Sequence, residues 1–340
     1  MIRFTGDVNL TDWDFNFGFG IGSRISKGFN PFSNLERKEE DLWVGNFEGV
    51  ASDVTTQNGM ASAVFRVKTD ALKGIQHFNI YGFANNHAMQ HGDEAYQQTV
   101  DTLIKNKSKV FGMNDNRSII LEHQGRIISF TGCCLRIDEF TNTPSYWYNP
   151  EYIDIKDEID KLPKDAFKVF FVHWGNEYIN RPSSLQKKLA HWLIDAGFDL
   201  IIGMHPHVLQ GYEDYKGKRI YYSLGNFVFD MAWEPCRYGA LVGLDLSGEE
   251  PKFLNEYVYI DNACAPCVIS EDMVPERYRF EYLNKQLLKD DNSEQYHNEI
   301  GRQYKAYSKA NRKKVIGNIF RHPGFGVNVV RDFVRRRFMH

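Results

Sequence analysis

One repeated pattern constrains the fold more than any other feature of this sequence. Five short apolar runs are each followed at the carboxyl end by Asp, Glu, Asn or His. Such runs are typical of buried strands. In open α/β sheets, sites lie beyond the carboxyl ends of the strands. The pattern therefore predicts one site built from distant parts of the chain. The residues concerned are Asp7, Glu48, Asn86, His173, His205 and His207.

Strand signals are more numerous than helix signals. The predicted strands are Ile2–Thr5, Leu42–Gly45, Ala63–Val67, Phe78–Ala84, Ile119–Glu122, Arg126–Thr131, Lys168–Val172, Leu200–Gly203, Arg219–Leu224, Ala240–Leu246 and Phe253–Ile260. Gln124-Gly125 and the stretch around Gly217 are hairpin signals. Because several strands follow one another without a helix between them, we expect an α/β sandwich with two sheets rather than one doubly wound sheet.

Three helices are predicted before residue 290, at Glu94–Lys105, Ser183–Ala196 and Pro275–Lys289. The second has a start signal at Pro182-Ser183 and a stop signal at Gly197. Helical spacing predicts one apolar stripe along it. The stripe consists of Leu185, Leu189, Trp192, Leu193 and Ala196.

The character of the chain changes beyond about residue 295. A polar, helix-permitting stretch at Gln295–Val315 is followed by Pro323-Gly324 and then by a basic amphipathic helix at Val327–Met339. From residue 302 to 340 there are eleven Lys or Arg and one acidic residue. This tail either packs on the body or makes a membrane or partner contact. The apolar face of the last helix would contain Val327, Val330, Phe333, Val334 and Phe338, and the basic face Arg331, Arg335, Arg336 and Arg337.

Composition limits the class of protein and its location. With 42% hydrophobic and 25% charged residues among 340, the chain is typical of globular proteins. The sequence shows neither a signal peptide nor a spanning helix, so we expect a cytoplasmic protein. Five cysteines without the context of a zinc or redox motif predict reduced, structural thiols.

The mixture of ligand types indicates metal chemistry. Oxygen ligands from Asp7, Glu48 and Asn86, combined with three imidazoles, suit Mn, Fe, Zn or Mg, and the imidazoles favour the transition metals. Six ligands are too many for one catalytic ion with an open position. They fit two divalent metal ions that share a bridging carboxylate. Two ions roughly 3.5–4 Å apart can clamp a phosphoryl group and activate a water as the nucleophile.

Six segments spread over residues 1–230 resemble the bacterial capsule-biosynthesis CapA family, which is associated with poly-γ-glutamate capsules. The segments are FTGDVNL, NFEG, ANNHAMQHG, FVHWGNEY, DLIIGMHPHVLQG and IYYSLGNFVFD. That family is itself similar to the calcineurin-like metallophosphoesterases. The resemblance implies a four-layer α/β/β/α sandwich with a dinuclear metal site, and the imidazole ligands favour Mn, Fe or Zn there.

The resemblance also implies individual roles. Asp7 would bind one metal, Glu48 would bridge both, and Asn86 and His173 would bind the second. The two metal spheres would be completed by His205 and His207. The adjacent His87 would not be a ligand; it would protonate a leaving group or hold a phosphoryl oxygen.

The sequence departs from the broader phosphoesterase pattern at two positions. Asn9 stands where that pattern has His, and Glu48 stands where it usually has Asp. Both departures agree with the CapA branch.

Residues near the proposed ligands are candidates for substrate binding. Trp174, Tyr178 and Arg181 follow His173 closely and would wall a pocket, although packing explains the two aromatic residues equally well. Arg66 is a candidate anion contact, with an ordinary strand-face charge as the alternative. Asn226 in SLGNF is a candidate to support a ligand from behind.

These observations predict three segments. Residues 1–262 would form a CapA-like metallophosphoesterase domain, residues 263–311 a C-terminal helical extension, and residues 312–340 a basic amphipathic tail. The tail would make a peripheral contact with the inner face of the membrane. The predicted function is a phosphoesterase-like enzyme of capsule, poly-γ-glutamate or surface-polysaccharide biosynthesis. Its substrate would be an anionic polymer, a sugar phosphate or another phosphoester, and its partner the capsule-synthesis machinery.

Two other functions remain open. One is a non-catalytic scaffold for capsule assembly or export that retains the metal fold. The other is a nuclease, but the acidic body would repel a duplex, so no nucleic-acid partner is expected.

Overall fold

The structure is a computed structural model that describes residues 1–73, 75–289 and 293–338, with the backbone alone for residues 293 and 332–338. The strands are β1 (Ile2–Val8), β2 (Leu42–Phe47), β3 (Val50–Ala51), β4 (Arg66–Val67), β5 (Ile80–Gly82), β6 (Lys109–Phe111), β7 (Ser118–His123), β8 (Arg126–Cys134), β9 (Phe167–His173), β10 (Leu200–Met204), β11 (Tyr212–Tyr215), β12 (Lys218–Tyr221), β13 (Asn226–Val228), β14 (Tyr238–Asp245), β15 (Lys252–Ile260) and β16 (Pro266–Ile269). The helices are α1 (Ile21–Ile25), α2 (Asp93–Lys105), α3 (Tyr152–Asp160), α4 (Ser184–Ala196), α5 (Phe280–Gln286), α6 (Ser293–Arg321) and α7 (Pro323–Phe338).

Two large sheets form the body. In the described part of the chain, the larger sheet has the order β16-β15-β14-β1-β2-β5-β6, and β13 also pairs with β1. The smaller sheet has the order β11-β12-β10-β9-β8-β7. Strands β1, β2, β5 and β6 are mutually parallel, as are β8, β9, β10 and β12. Each sheet therefore presents a row of carboxyl ends at one edge.

Three apolar clusters separate four layers. The central cluster lies between the two sheets and includes Phe4 and Phe171, whose ring centres are 5.9 Å apart. A second cluster joins α1 and α2 to the outer face of the larger sheet, and a third joins α3 and α4 to the outer face of the smaller sheet. Burying one large apolar side chain contributes roughly 1.5–3 kcal/mol, so these clusters hold the layers together. The predicted α/β/β/α sandwich is confirmed.

The local turn and cap signals are confirmed as well. Both predicted hairpins turn through two residues with positive φ, Gln124-Gly125 and Lys216-Gly217, as tight hairpins require. At the start of α4 the Ser183 hydroxyl accepts a hydrogen bond from the Gln186 amide at 3.2 Å. Gly197 ends that helix with φ 122°.

Several boundaries differ from the prediction. The predicted strand at Ala63–Val67 is reduced to β4, because a 3-10 helix at Gly59–Ser62 precedes it. The predicted helix at Pro275–Lys289 is α-helical only in α5, after a 3-10 turn at Glu276–Tyr278. Of the predicted apolar stripe of α4, Leu185 is 75% exposed, whereas Leu189, Trp192, Leu193 and Ala196 pack on the third cluster. The buried positions of α4 are Gln186, Ala190, Leu193 and Ile194.

The predicted domain limits also shift. Strand β16 adds to the larger sheet after residue 262, so the sheet reaches Ile269. Helix α6 runs without interruption across the predicted boundary between residues 311 and 312. The predicted last helix begins earlier, at Pro323, and Met339 lies outside the described residues. The predicted faces of that helix rest partly on side chains that also lie outside them, namely Phe333, Val334, Arg335, Arg336, Arg337 and Phe338.

The C-terminal helices pack on the sandwich. Arg181 pairs with Glu299 at 3.1 Å, and the Asn318 amide donates to the carbonyl of Phe15 at 2.7 Å. Phe325 is 3% exposed.

All five cysteines are free thiols, as predicted. Among the described helices, none has the length and apolar character needed to cross a bilayer.

Candidate metal centre

The candidate centre lies where the carboxyl ends of the two sheets meet. Asp7 is near the end of β1 and pairs with Asn46 of β2 and with Asn226 of β13. A Cβ on the preceding Gly6 would lie 1.8 Å from the carbonyl oxygen of Gly225, so only glycine allows β13 to approach this closely. On the other sheet, His173 ends β9 and is paired with Met204, immediately before His205.

The six predicted ligands converge. His173 Nε2 lies 2.8 Å from Asn86 Oδ1 and 3.1 Å from His205 Nδ1. His207 Nδ1 lies 3.6 Å from Asp7 Oδ2, and His207 Nε2 lies 3.6 Å from Glu48 Oε1. Ligands bound about 2.1 Å from one ion are roughly 3 Å apart when adjacent, so these separations suit shared cations. Their role as metal ligands stays a prediction.

Two of the histidines have an unusual backbone conformation. His205 has φ 95° and His207 has φ 58°, values that non-glycine residues adopt only under constraint. The backbone N–H of His205 donates to Asp7 Oδ2 at 3.2 Å. Both imidazoles are 1% exposed. Holding both rings inside the centre therefore costs about 1–3 kcal/mol of backbone strain for each of these two residues in the loop after β10.

Burial dominates the electrostatics of the centre. It raises the pKa of Asp7 to about 6, against the opposing effect of the Asn46 hydrogen bond. Burial and the neighbouring charge of Asp7 raise the pKa of Glu48 well above its usual range. Burial also lowers the pKa of His207 to about 3 and the pKa values of His173 and His205 well below normal. The imidazoles are therefore neutral, which is the form that binds metals.

The buried polar atoms of the centre that lack hydrogen-bond partners indicate whether cations would fit there. Both carboxylate oxygens of Glu48 and Nε2 of His205 are buried and have no hydrogen-bond partner among the described residues. A buried polar group without a partner is costly, and a buried carboxylate more so. One divalent cation or two would satisfy these atoms and neutralise Asp7 and Glu48. The residues present therefore fit divalent metals.

A cavity of about 650 Å³ opens beside the centre. His87, Glu177 and Tyr178 are among the residues that line it. His87 Nε2 lies 3.9 Å from Glu48 Oε1, and the imidazole is stacked on Phe65 with 3.6 Å between ring centres. His87 is thus at the predicted position beside the centre; its catalytic role is not tested by this geometry.

Three predicted substrate contacts are absent from the cavity lining and have partners elsewhere in the protein. Trp174 is buried behind the smaller sheet, where its indole donates to the carbonyl of Tyr222 at 2.9 Å. Arg181 is 5% exposed and is engaged by Glu299 of α6. Arg66 donates to the backbone carbonyls of Ser62 and Ser52, as a structural residue does. Core packing and hydrogen bonds to backbone carbonyls or to Glu299 therefore hold these side chains in place.

Asn226 and Asn9 lie just behind the ligands. Asn226 Oδ1 is 3.0 Å from His207 Nδ1, and its amide nitrogen donates to the carbonyl of Cys236 at 3.0 Å. This contact orients the ring of His207, in keeping with a supporting role rather than with substrate contact. Asn9 is bound to Thr11 through Oδ1, and its buried Nδ2 has no partner within the described chain.

Sequence reasoning missed two residues of the centre. Glu177 offers a carboxylate oxygen that lies within 4.8 Å of ligand atoms of His205 and His207. Its position four residues after His173 in the same loop is a signal that could have revealed it. Asn46 donates to Asp7 Oδ1 at 2.7 Å and lies 3.3 Å from His173 Nδ1. As the residue of β2 two before Glu48, it shares Glu48's side of the strand.

Comparison with known proteins shows the family to which this chain belongs. Residues 2–231 match the family described as bacterial capsule synthesis protein PGA_cap. The chain is 33% identical over 226 residues to the PGA biosynthesis protein CapA of Bacillus subtilis (strain 168), covering 60% of this chain and 57% of that protein. It is 30% identical over 223 residues to the capsule biosynthesis protein CapA of Bacillus anthracis, covering 60% and 54%.

The extent of these matches is limited. The chain spans little more than half the length of these curated relatives. Among solved structures, a 5'-nucleotidase from Candida albicans SC5314 overlaps 92% of this chain and 56% of its own with a TM-score of 0.44 and 12% identity. The family match contains every residue of the centre and ends before α5, α6 and α7.

Proposed function

Because the chain belongs to the family of bacterial capsule synthesis proteins, we propose that it is a divalent-metal-dependent, phosphoesterase-type hydrolase that acts in making a capsule or another surface polymer. The observation that carries the proposal is the unpartnered, fully buried carboxylate of Glu48 beside Asp7 and three neutral imidazoles. Without a cation, Asp7 and Glu48 avoid uncompensated buried charge only by taking up protons, as the raised pKa values of both carboxyls indicate. A metal-binding function explains why the chain has this costly arrangement of buried carboxyls and imidazoles.

In this proposal, different residues bind the cations and contact the leaving group. Asp7, Glu48 and His173 form one group of ligands, and Glu177, His205 and His207 form another. Divalent cations held there would stabilise negative charge on a phosphoryl group and acidify the attacking water. His87, which lines the cavity and lies 3.9 Å from Glu48, would contact the leaving group.

The proposal is tested with protein stripped of metal. After Mn is restored, the protein should bind at least one ion per chain and hydrolyse a generic phosphodiester or monoester. Protein left without metal and a His205→Ala variant are the controls, and both should be inactive. Less than one ion per chain together with no hydrolysis would end the enzyme proposal.

A second candidate function is a scaffold for capsule assembly at the membrane. It is favoured by apolar side chains that stand exposed on the basic tail: Phe320 is 81% exposed, Val330 62% and Val327 58%. Basic residues around them would attract anionic lipid. A scaffold that needs no metal predicts normal capsule in a strain carrying His205→Ala, whereas an enzyme predicts its loss.

The membrane contact is best tested by point variants. Deleting residues 312–340 would also remove Arg312, Val315 and Ile316 from the cavity beside the centre. Phe320→Ser combined with Val330→Ser leaves that cavity intact. If the tail binds membranes, these changes should weaken sedimentation with phosphatidylserine vesicles several-fold, while Leu185→Ser on α4 should not. Unchanged sedimentation would remove the membrane contact.

A further inference from the structure

Helix α6 forms one wall of the cavity beside the metal centre. Its contributing residues recur at helical spacing, so a single face of the helix looks into the cavity. They are Tyr304, Tyr307, Ser308, Asn311, Arg312, Val315 and Ile316. The opposite wall includes Trp13, Phe65 and Tyr178 from the sandwich. The cavity thus joins the centre to a helix outside the region matched by the family.

The contact between these walls is specific. The ring of Tyr307 is stacked on that of Tyr178, with centres 4.0 Å apart, and Tyr178 has φ 68°. Tyr307 is 6% exposed. Farther along, the Arg181–Glu299 pair and the Asn318–Phe15 hydrogen bond hold α6 in place. The wall is therefore built into the fold rather than laid loosely across it.

Two residues of the lining each carry a polar atom that lacks a hydrogen-bond partner among the described residues. Trp13 Nε1 is a donor and Asn311 Oδ1 is an acceptor, and both are buried without a hydrogen bond to any described residue. A hydroxyl both donates and accepts, so a ligand with several hydroxyls can satisfy the two atoms. Aromatic side chains such as Tyr304, which is 56% exposed, supply apolar faces for the carbons of a ring.

Charge argues against a polyanionic ligand. Among the described residues, the lining contains the carboxylates of Asp14 and Glu177 and a single Lys or Arg, Arg312. A polymer with a carboxylate on every unit would meet two acidic groups and one guanidinium. A ligand with one anionic group at the metal end and neutral hydroxyls beyond it fits the lining better.

We propose that the cavity between α6 and the metal centre binds the sugar ring of a sugar phosphate, with Asn311 and Trp13 recognising its hydroxyls and Tyr304 contacting its ring. This inference rests on the proposed function, because it places the phosphoryl group at the metal centre. Helix α6 then determines specificity, whereas the strand ends perform the chemistry. The cavity volume of about 650 Å³ accommodates a ligand of this size.

The test measures binding without turnover. Full-length, Mn-loaded protein is titrated by calorimetry with a hexose phosphonate, which cannot be hydrolysed, and with methylphosphonate, which has the same anionic group and no ring. The hexose phosphonate should bind at least about tenfold more tightly. Asn311→Leu and Tyr304→Ala should each reduce that preference by about three- to tenfold, since each removes one contact to the ring.

The control is Lys309→Ala, on the same helix but outside the cavity lining, and it should keep the full preference. Equal affinities for the two phosphonates, no binding of either, or tighter binding of a nucleoside phosphonate or a glutamate oligomer would overturn the inference. Failure of the proposed function is seen separately, as absence of phosphoester hydrolysis by wild-type protein that still prefers the hexose phosphonate.

Discussion

The candidate metal centre and helix α6 face each other across one cavity, yet they are built in opposite ways. At the centre, Asp7 and Glu48 have no solvent exposure and are held by the ends of paired strands. On α6, Tyr304 and Ile316 are more than half exposed, and a few anchors fasten the helix to the sandwich. Ligands for a cation need fixed geometry, which paired strands supply. Recognition of a substrate's remote part tolerates a less rigid element.

The comparison predicts the largest effect at Glu48. Glu48→Gln keeps the shape of the side chain but removes its negative charge. Metal content should fall, and hydrolysis should fall by about 10³-fold or more, because several kcal/mol of transition-state stabilisation depend on the bound ions. Metal analysis and kinetics check this.

The matched control for Glu48→Gln is Glu276→Gln, at an exposed 3-10 helix far along the chain. Metal-free Glu48→Gln protein should melt at or above the temperature of metal-free wild type, since burial and Asp7 disfavour the charged form of Glu48 and the amide cannot ionise. An active, fully metal-loaded Glu48→Gln protein would show that the centre is not the site of chemistry.

A smaller effect is expected behind the ligands. Asn226→Ala removes the amide that lies 3.0 Å from His207 Nδ1 and leaves the ligand itself in place. Metal affinity should fall about 10–100-fold, as is usual when a group orienting a ligand is lost. Titration with Mn measures it. Affinity equal to that of wild type would mean that the strained loop alone orients His207.

Weakening the attachment of α6 should destabilise the helix without affecting the candidate metal centre. Arg181→Ala breaks the pair with Glu299 and the contact of the guanidinium with the ring of Tyr296. We expect about 1–3 kcal/mol less stability, expressed as faster hydrogen exchange in residues 293–321 with unchanged metal content. Arg277→Ala breaks an exposed pair with Glu234 and should change stability by less than about 1 kcal/mol. Loss of metal in Arg181→Ala would show that the helix and the centre are one unit.

The smallest effect is expected on the outer surface of α6. Phe320 is 81% exposed, so Phe320→Ser should change the free energy of unfolding by no more than about 0.5 kcal/mol. Chemical denaturation measures the change. A loss of 2 kcal/mol or more would mean that the ring is buried against another part of the protein in solution.

Periodicity and ligand chemistry in the sequence were sufficient to predict much of the fold. The two-sheet sandwich, both hairpins and the caps of α4 follow from local signals, since each depends on a few adjacent residues. The convergence of the six candidate ligands also followed, because carboxyl ends of parallel strands share an edge. Short elements such as α1 and β13 carried too little periodicity to be predicted.

Tertiary contacts alone decided which nearby side chains reach the cavity. Trp174 and Arg181 follow His173 closely, and Arg66 lies between Glu48 and Asn86, but each side chain bonds to a backbone carbonyl or a carboxylate elsewhere. Asn311 and Tyr304 reach the cavity although more than 95 residues separate them from the last predicted ligand. The chain's pattern determines which residues end strands. Which face of a distant helix closes over them depends on long-range packing, and no local signal encodes that.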